Sequence, residues 1–254
     1  ACDPRSLLAG IDYAYPQGVQ IGGLASALEG NTLFLDQDLH HSGLVGVALQ
    51  GNIQVDTIVA QGSRPIGSPM TITHCEDQIL HRLDNQPAVQ VLVALYQSLL
   101  PQDQERLRYG LQLGVAATEL KEQLKPGDFL IRNVIHLDQE RGFLAVGDNL
   151  RQGQTVQFHL RDAAAASEDL TDLLEHYQLS RAETPPVGAL LFTCTGRGQG
   201  FFGQPDHDSD TFFQSVGEVP LGGFFCGGEI GPVGSATHLH GYTSAFALFR
   251  PLHD

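Results

Sequence analysis

Basic charge is scarce in this 254-residue chain. It holds 14 Lys and Arg against 29 Asp and Glu, a net charge of −15, and its only lysines are Lys121 and Lys125. Nucleic-acid binders draw affinity from cations that neutralise phosphates, so a chain without a basic cluster is excluded from that class. Long apolar runs are missing as well. No stretch approaches the ~18 consecutive apolar residues of a membrane helix, and Val91–Tyr96 is only core-sized. Ala1–Gly10 carries Asp3 and Arg5 and lacks the apolar centre of a signal peptide. The four cysteines, Cys2, Cys75, Cys194 and Cys226, are far apart and form no C-x-x-C pair. A chain of this size needs no staples, so reduced thiols in the cytoplasm are expected. Methionine occurs once, at Met70, and residue 1 is Ala, so we read the chain as starting after processing or truncation.

What is present is ordinary for a folded protein. Hydrophobic residues make up 42% and charged residues 17%, which excludes intrinsic disorder. A chain this long buries roughly 70–75% of its unfolded surface, enough for one large core or two smaller ones.

Hydrophobic patterning predicts strands over Thr32–Leu35, Gly43–Leu49, Ile53–Ala60 and Met70–His74. Helical spacing follows over Ala88–Leu100 and, more polar, over Gln102–Gly114, with Pro101 between them. Strands are expected again at Phe129–Leu137, Phe143–Val146 and Thr155–Leu160, then a helix at Ala163–Leu179. The last part reads as strand Ala189–Cys194, helix Asp208–Val216, and strands Pro220–Cys226 and Tyr242–Phe249. The fold class is therefore mixed α/β, with largely antiparallel sheets and packed helices. A break near Leu83–Pro87 divides residues 1–87 from 88–254. The strands before it must pack on the later part, on a partner or on a missing N-terminal segment. One continuous core is expected, with Gly43–Leu49 and Ile53–Ala60 covered by apolar residues from beyond residue 88.

Chemistry concentrates near the C-terminus. Residues 195–254 hold twelve of the 29 glycines and eight of the 13 phenylalanines, a mix that suits tight turns and apolar walls around a close backbone approach. Arg197 stands between Gly196 and Gly198 after a buried-type strand, where α/β proteins place ligands. Apart from Arg250 it is the only cation after Arg181. Two readings follow: a fork that clamps a ligand carboxylate, or a pair with Asp206 or Asp208 that holds the loop. Gly196-x-Gly198-x-Gly200 lacks the dinucleotide spacing, because position 201 is Phe. Glu229, beside Gly228 and three residues after Cys226, either meets a ligand ammonium or fixes its own turn. Asp206-x-Asp208-x-Asp210 starts like a Ca²⁺ loop but has Thr211 at the glycine position, so Asp208 or Asp210 is expected as a helix N-cap.

Three blocks carry a resemblance: Cys194–Asp208, Pro220–Gly234 and His238–Ser244. Together they resemble the C-terminal module of FIST proteins. Asp12-Tyr-Ala-Tyr-Pro16 and Ile21-Gly-Gly-Leu-Ala-Ser26 resemble the end of the companion N-terminal module, which in the family extends well ahead of this motif. The resemblance implies a small-ligand sensory protein of signal transduction, with amino acids proposed as ligands and haem bound by some members, while the isolated Arg197 points to a small anion. It implies no catalytic residues. On this reading the ligand residues are Gly196, Arg197, Gly198, Phe225, Cys226, Gly228, Glu229, His238 and His240, with Gly22, Gly23 and Ser26 closing one side.

Two alternatives stay open. His238-x-His240 puts both imidazoles on one face of an extended segment, so with Cys226, His207 or Glu229 a Zn²⁺ or haem site is chemically conceivable, although no cofactor is required. Cys226 with either histidine would make a thiolate–imidazole hydrolase. With no output domain in the chain, signalling needs a partner chain or a homo-oligomer; nucleic acid and membrane insertion are not expected.

Overall fold

The computed structural model describes residues 3–118, 124–181 and 183–252. Helix α1 (Pro4–Ala14) precedes the short strands β1 (Gly22–Gly23), β2 (Leu33–Leu35) and β3 (Asp38–His40), and then β4 (Gln54–Ala60). Next come β5 (Ser63–Glu76), β6 (Ile79–Leu83), β7 (Gln86–Pro87), α2 (Ala88–Ser98), α3 (Pro101–Gly110) and β8 (Leu111–Ala116). Strands β9 (Phe129–Asp138), β10 (Phe143–Val146) and β11 (Thr155–Arg161) lead into α4 (Ala163–Ser180). Then follow β12 (Gly188–Cys194), α5 (Gln199–Phe202), α6 (His207–Val216), β13 (Leu221–Cys226), β14 (Glu229–Val233), β15 (Ala236–His240) and β16 (Ser244–Arg250). The class is mixed α/β, as the patterning implies.

Two compact units emerge: Gln61–Ala166, and Ala1–Ala60 together with Ser167–Asp254. In the first, strands run β10-β9-β8-β11-β5-β6-β7, and β10 also pairs with β6, which closes the sheet into a barrel. Ile66, Ile72, Leu80, Leu83, Leu113, Leu144, Val156 and Phe158 fill its core with Val89 and Leu92 of α2. Val89 and Leu92, from beyond residue 88, thus pack on β5 and β6. On the other face of β11, His159 is fully buried against Phe129, 5.5 Å between ring centroids, and its Nδ1 meets Ser63 Oγ at 3.1 Å. Gly114 makes room for that ring, since a Cβ there would stand 2.6 Å from His159 Nε2.

The second unit carries the sheet β13-β12-β16-β4, in which only β12 and β13 run parallel. Helix α6 belongs to the crossover between those two strands. Its Phe212 and Val216 pack with Leu170 and Leu174 of α4 over Ile58, Ala60, Leu191, Phe246 and Leu248. A smaller sheet, β1-β14-β15, lies in the same unit. Helix α1 is tied to it by Asp12, which accepts from Thr237 N at 2.7 Å and Thr237 Oγ1 at 2.8 Å.

Several expectations are corrected. Residues 43–49 form no strand, and Leu44, Val45, Val47 and Leu49 are exposed, because no neighbouring strand pairs with them. The polar helix stops at Gly110; Leu111–Ala116 is a strand buried on both faces, so its pattern has no alternation to betray it. Met70–His74 is the middle of the 14-residue β5, whose Pro65 and Pro69 argue against a strand. Gly67, Ser68 and Pro69 bulge opposite Gln157, with Gly67 at φ +64°, and that absorbs the break. Tyr242 lies outside the last strand, at φ +63°.

Candidate functional site

The chain leaves β12 through a short 3₁₀ turn, Thr195–Arg197, and turns Arg197 inward. Its Nε meets Asp208 Oδ2 at 2.9 Å and its Nη2 meets Asp208 Oδ1 at 2.9 Å. Neither side chain sees solvent, with 0% and 6% exposed. Asp208 also accepts from Thr193 Oγ1 at 2.7 Å and from the Ser244 hydroxyl, and His207 Nδ1 lies 3.0 Å from its Oδ1. Burial pushes the Asp208 carboxyl up, but hydrogen bonds from His207 and Arg197 outweigh it and hold the group well below the usual carboxylate range. The Phe202 ring stacks on His207 at 3.6 Å and 3°, and the Arg197 guanidinium lies 5.2 Å from the same ring.

Beside this hub lies a cavity of about 330 Å³, at the small end of ligand-pocket sizes. Its walls are the carboxyl half of β12 (Leu191, Thr193), Arg197 and Gly198, the first turn of α6 (Asp206–Ser209), and the edge strand β13 (Leu221–Phe225). Arg197 borders the cavity, yet its side chain exposes nothing to it. Asp206, the residue before α6, sits at φ +56° and makes no side-chain cap, so the helix begins with its first N–H groups uncapped. Asp208, expected as an N-cap, is instead inside the helix and turned to Arg197. Phe224 and Phe225 are 46% and 56% exposed.

A second cluster lies behind the first. Glu229 is fully buried and accepts from Thr243 N at 3.0 Å and Thr243 Oγ1 at 2.8 Å. Burial nevertheless leaves its carboxyl above the ordinary range. The Cys226 thiol donates to Thr193 O at 3.5 Å and Glu229 Oε1 at 3.4 Å, and burial with the adjacent Glu229 pushes it up, far from a thiolate. Strand β1 closes over this knot: Gly23 pairs with Glu229, Leu24 N donates to Gly228 O at 2.8 Å, and a Cβ on Gly23 would stand 2.7 Å from Cys226 Sγ.

Comparison with known proteins decides the family. The model of the FIST N domain matches residues 1–86 and that of the FIST C domain residues 90–232. The chain belongs to the FIST family. FIST domains are small-ligand sensory domains of signal transduction. An uncharacterized protein of Mycobacterium tuberculosis is 41% identical over 246 residues, 96% of this chain and 64% of that relative. One from Mycobacterium bovis is 39% identical over 237 residues, 92% of this chain and 61% of the relative. An F-box/LRR-repeat protein of Arabidopsis thaliana is 32% identical over 115 residues, 44% of this chain and 22% of its own length. The chain thus spans under two thirds of the relatives it matches.

The residues singled out in this FIST chain fall in two places. Arg197, Gly198 and Phe225 border the cavity, with Gly196 in the turn before it. Cys226, Gly228 and Glu229 are buried, the half-buried Gly22 and Gly23 lie over them, and the exposed Ser26 stands at the edge, its Cβ 3.1 Å from the Cβ position of Gly227. His238 and His240 share a face of β15, with ring centroids 6.3 Å apart, but His240 is 4% exposed and its Nε2 donates to Gly231 O at 3.0 Å. That nitrogen of His240 is committed to a backbone carbonyl. Among the described residues no group of three or more His, Cys, Asp or Glu side chains is placed to hold a metal ion. No helix there is long and apolar enough to cross a membrane. Thr193 and Ser244 were missed, while Asp206 and His207 were named from sequence only as a partner for Arg197 and as a metal ligand.

Proposed function

We propose that this FIST chain binds a small anionic metabolite, an amino acid above all, in the cavity between α6 and β13. The observation that carries the reading is the wall chemistry: uncapped N–H groups at the start of α6 next to the exposed Asp206 carboxylate. Helix N-termini favour a carboxylate, and Asp206 suits an ammonium, so the two ends of an amino acid are matched. Arg197 then acts as the holder of the Gly196–Gly198 loop, because its fork is spent on Asp208. The knot of Gly22, Gly23, Ser26, Cys226, Gly228 and Glu229 supports the cavity wall from behind through Thr193, whose hydroxyl serves Asp208 and whose carbonyl serves Cys226.

As sequence modules we keep residues 1–87 and 88–254. Ala1–Ala60 and Ser167–Asp254 form one spatial unit, which supports coupling between the modules when a ligand binds. The signal passes to a partner chain or a second copy, in the cytoplasm, a compartment supported by the unbridged Cys75, Cys194 and Cys226.

The test is a thermal-shift and calorimetric screen of L-amino acids against the full chain and Asp206→Ala. Saturable binding that weakens at least tenfold in the variant supports the reading. Binding that is equal in both proteins removes Asp206 from the site, and no binding by any amino acid overturns the ligand class.

A further inference from the structure

The Asp208 hub has an arm that the ligand reading does not use. Ser167, on the second turn of α4, places Oγ 2.9 Å from His207 Nε2, while His207 Nδ1 lies 3.0 Å from Asp208 Oδ1. Hydroxyl, imidazole and carboxylate therefore stand in series, each ring nitrogen on its own partner. Unrelated folds build a base-activated serine in this order.

The neighbours of each member suit the role. Asp208 is held ionised, with burial opposed by the hydrogen bonds of His207, Arg197 and Ser244. An ionised carboxylate at Nδ1 keeps the proton on that nitrogen, which leaves Nε2 to accept from the Ser167 hydroxyl. The stacked Phe202 ring fixes the plane of the imidazole. His207 and Asp208 are buried at 7% and 6% exposure, whereas Ser167 is half-buried, the least buried residue of the series. Among the described residues its Oγ has no other hydrogen-bond partner than His207. Four alanines, Ala163–Ala166, precede it. Cys226, the nucleophile of the alternative hydrolase reading, is buried and protonated; the serine is the better-placed group.

We propose that Ser167 is a nucleophile with His207 as its base and Asp208 orienting the ring, and that it accepts the acyl group of small activated esters. In the step, Oγ bonds to the ester carbonyl carbon and the ester C–O bond breaks. The hydroxyl proton passes to His207 Nε2 and from there to the departing alkoxide. Water repeats the sequence on the acyl-serine and releases the carboxylic acid.

The probes are a fluorophosphonate, read as a mass adduct on the full chain, and p-nitrophenyl acetate. The expected result is one adduct, mapped to Ser167. Ser167→Ala abolishes it at an unchanged melting temperature, and His207→Gln slows it roughly 100-fold or more. No adduct at Ser167 reduces the contact to a structural tie between α4 and α6 and overturns the proposal; this readout on the parent chain needs no variant to fold. Amino-acid binding in Ser167→Ala is expected to match the parent, so failure of this proposal and failure of the sensory reading are separately visible.

Discussion

Arg197 and Asp208 face each other as a buried fork on a carboxylate, both contacts at 2.9 Å and both side chains withdrawn from solvent. The pair joins the turn after β12 to the first turn of α6, the two elements that bound the cavity. It explains why one cation stands in a strongly acidic stretch: the stretch contains a carboxylate that has to be neutralised before it can be buried.

Breaking the pair from one side strands the other charge. Arg197→Ala is expected to cost about 3–5 kcal/mol, and Arg197→Lys less, since an ammonium keeps the charge but not the fork. Replacing both, as Arg197→Met with Asp208→Leu, is expected to recover much of the loss. Urea unfolding of the four proteins checks this; a single Arg197→Ala variant within about 1 kcal/mol of the parent contradicts the stated role.

Asp208 also sets an acid limit. Its folded carboxyl is held below the unfolded value of ~3.9, so its contribution is complete above that pH and is lost as pH falls through and beneath it. In Asp208→Asn the steep loss of stability below pH ~4 is expected to flatten. Chemical denaturation at a series of pH values measures the slope, and identical slopes in the two proteins would falsify the assignment.

The fold was legible wherever periodicity had one meaning. Helix α2 and strands β9, β10 and β12 follow from spacing and from Pro and Gly punctuation. Strand β8 was hidden because it is buried on both faces, and β5 because a bulge accommodates its prolines. Residues 43–49 read as a strand, but a strand needs a partner that spacing does not reveal. Of the glycine-rich blocks, Arg197, Gly198, Gly222, Gly223 and Phe225 line the cavity, and nothing after Phe225 does. The partner of Arg197 was within sight, eleven residues on, and yet the division of those blocks between a cavity wall and a buried knot is set by the register of β1 on β14. Three-dimensional pairing of this kind leaves no local mark.

A separate pH window belongs to the barrel. Burial lowers His159 from 6.5 to about 4, so between these values the unfolded chain binds a proton that the folded one refuses. Stability is expected to fall as pH drops from ~6.5 to ~4, by about 3 kcal/mol in all, and His159→Gln is expected to remove this slope while leaving the steeper one below it. A parent protein whose stability is flat across that range contradicts the neutral, buried imidazole.

Gly23 is the tightest point of the β1 closure. Gly23→Ala puts a Cβ 2.7 Å from Cys226 Sγ and 2.8 Å from its Cβ, an overlap expected to cost about 1–3 kcal/mol. Cys226→Ala removes the sulfur but not the Cβ, so the double variant is expected to recover part of that cost. Strict additivity in a double-mutant cycle would show that β1 and Cys226 are not in contact.

The central claim is that a small ligand occupies the space between the first turn of α6 and strand β13. A crystal structure of the full chain with the amino acid that raises its melting temperature most is the direct measurement. The account predicts ligand density there, with its carboxylate on the N–H groups of residues 207–209 and its ammonium beside Asp206. Density at any other place, with that cavity holding only water, contradicts it.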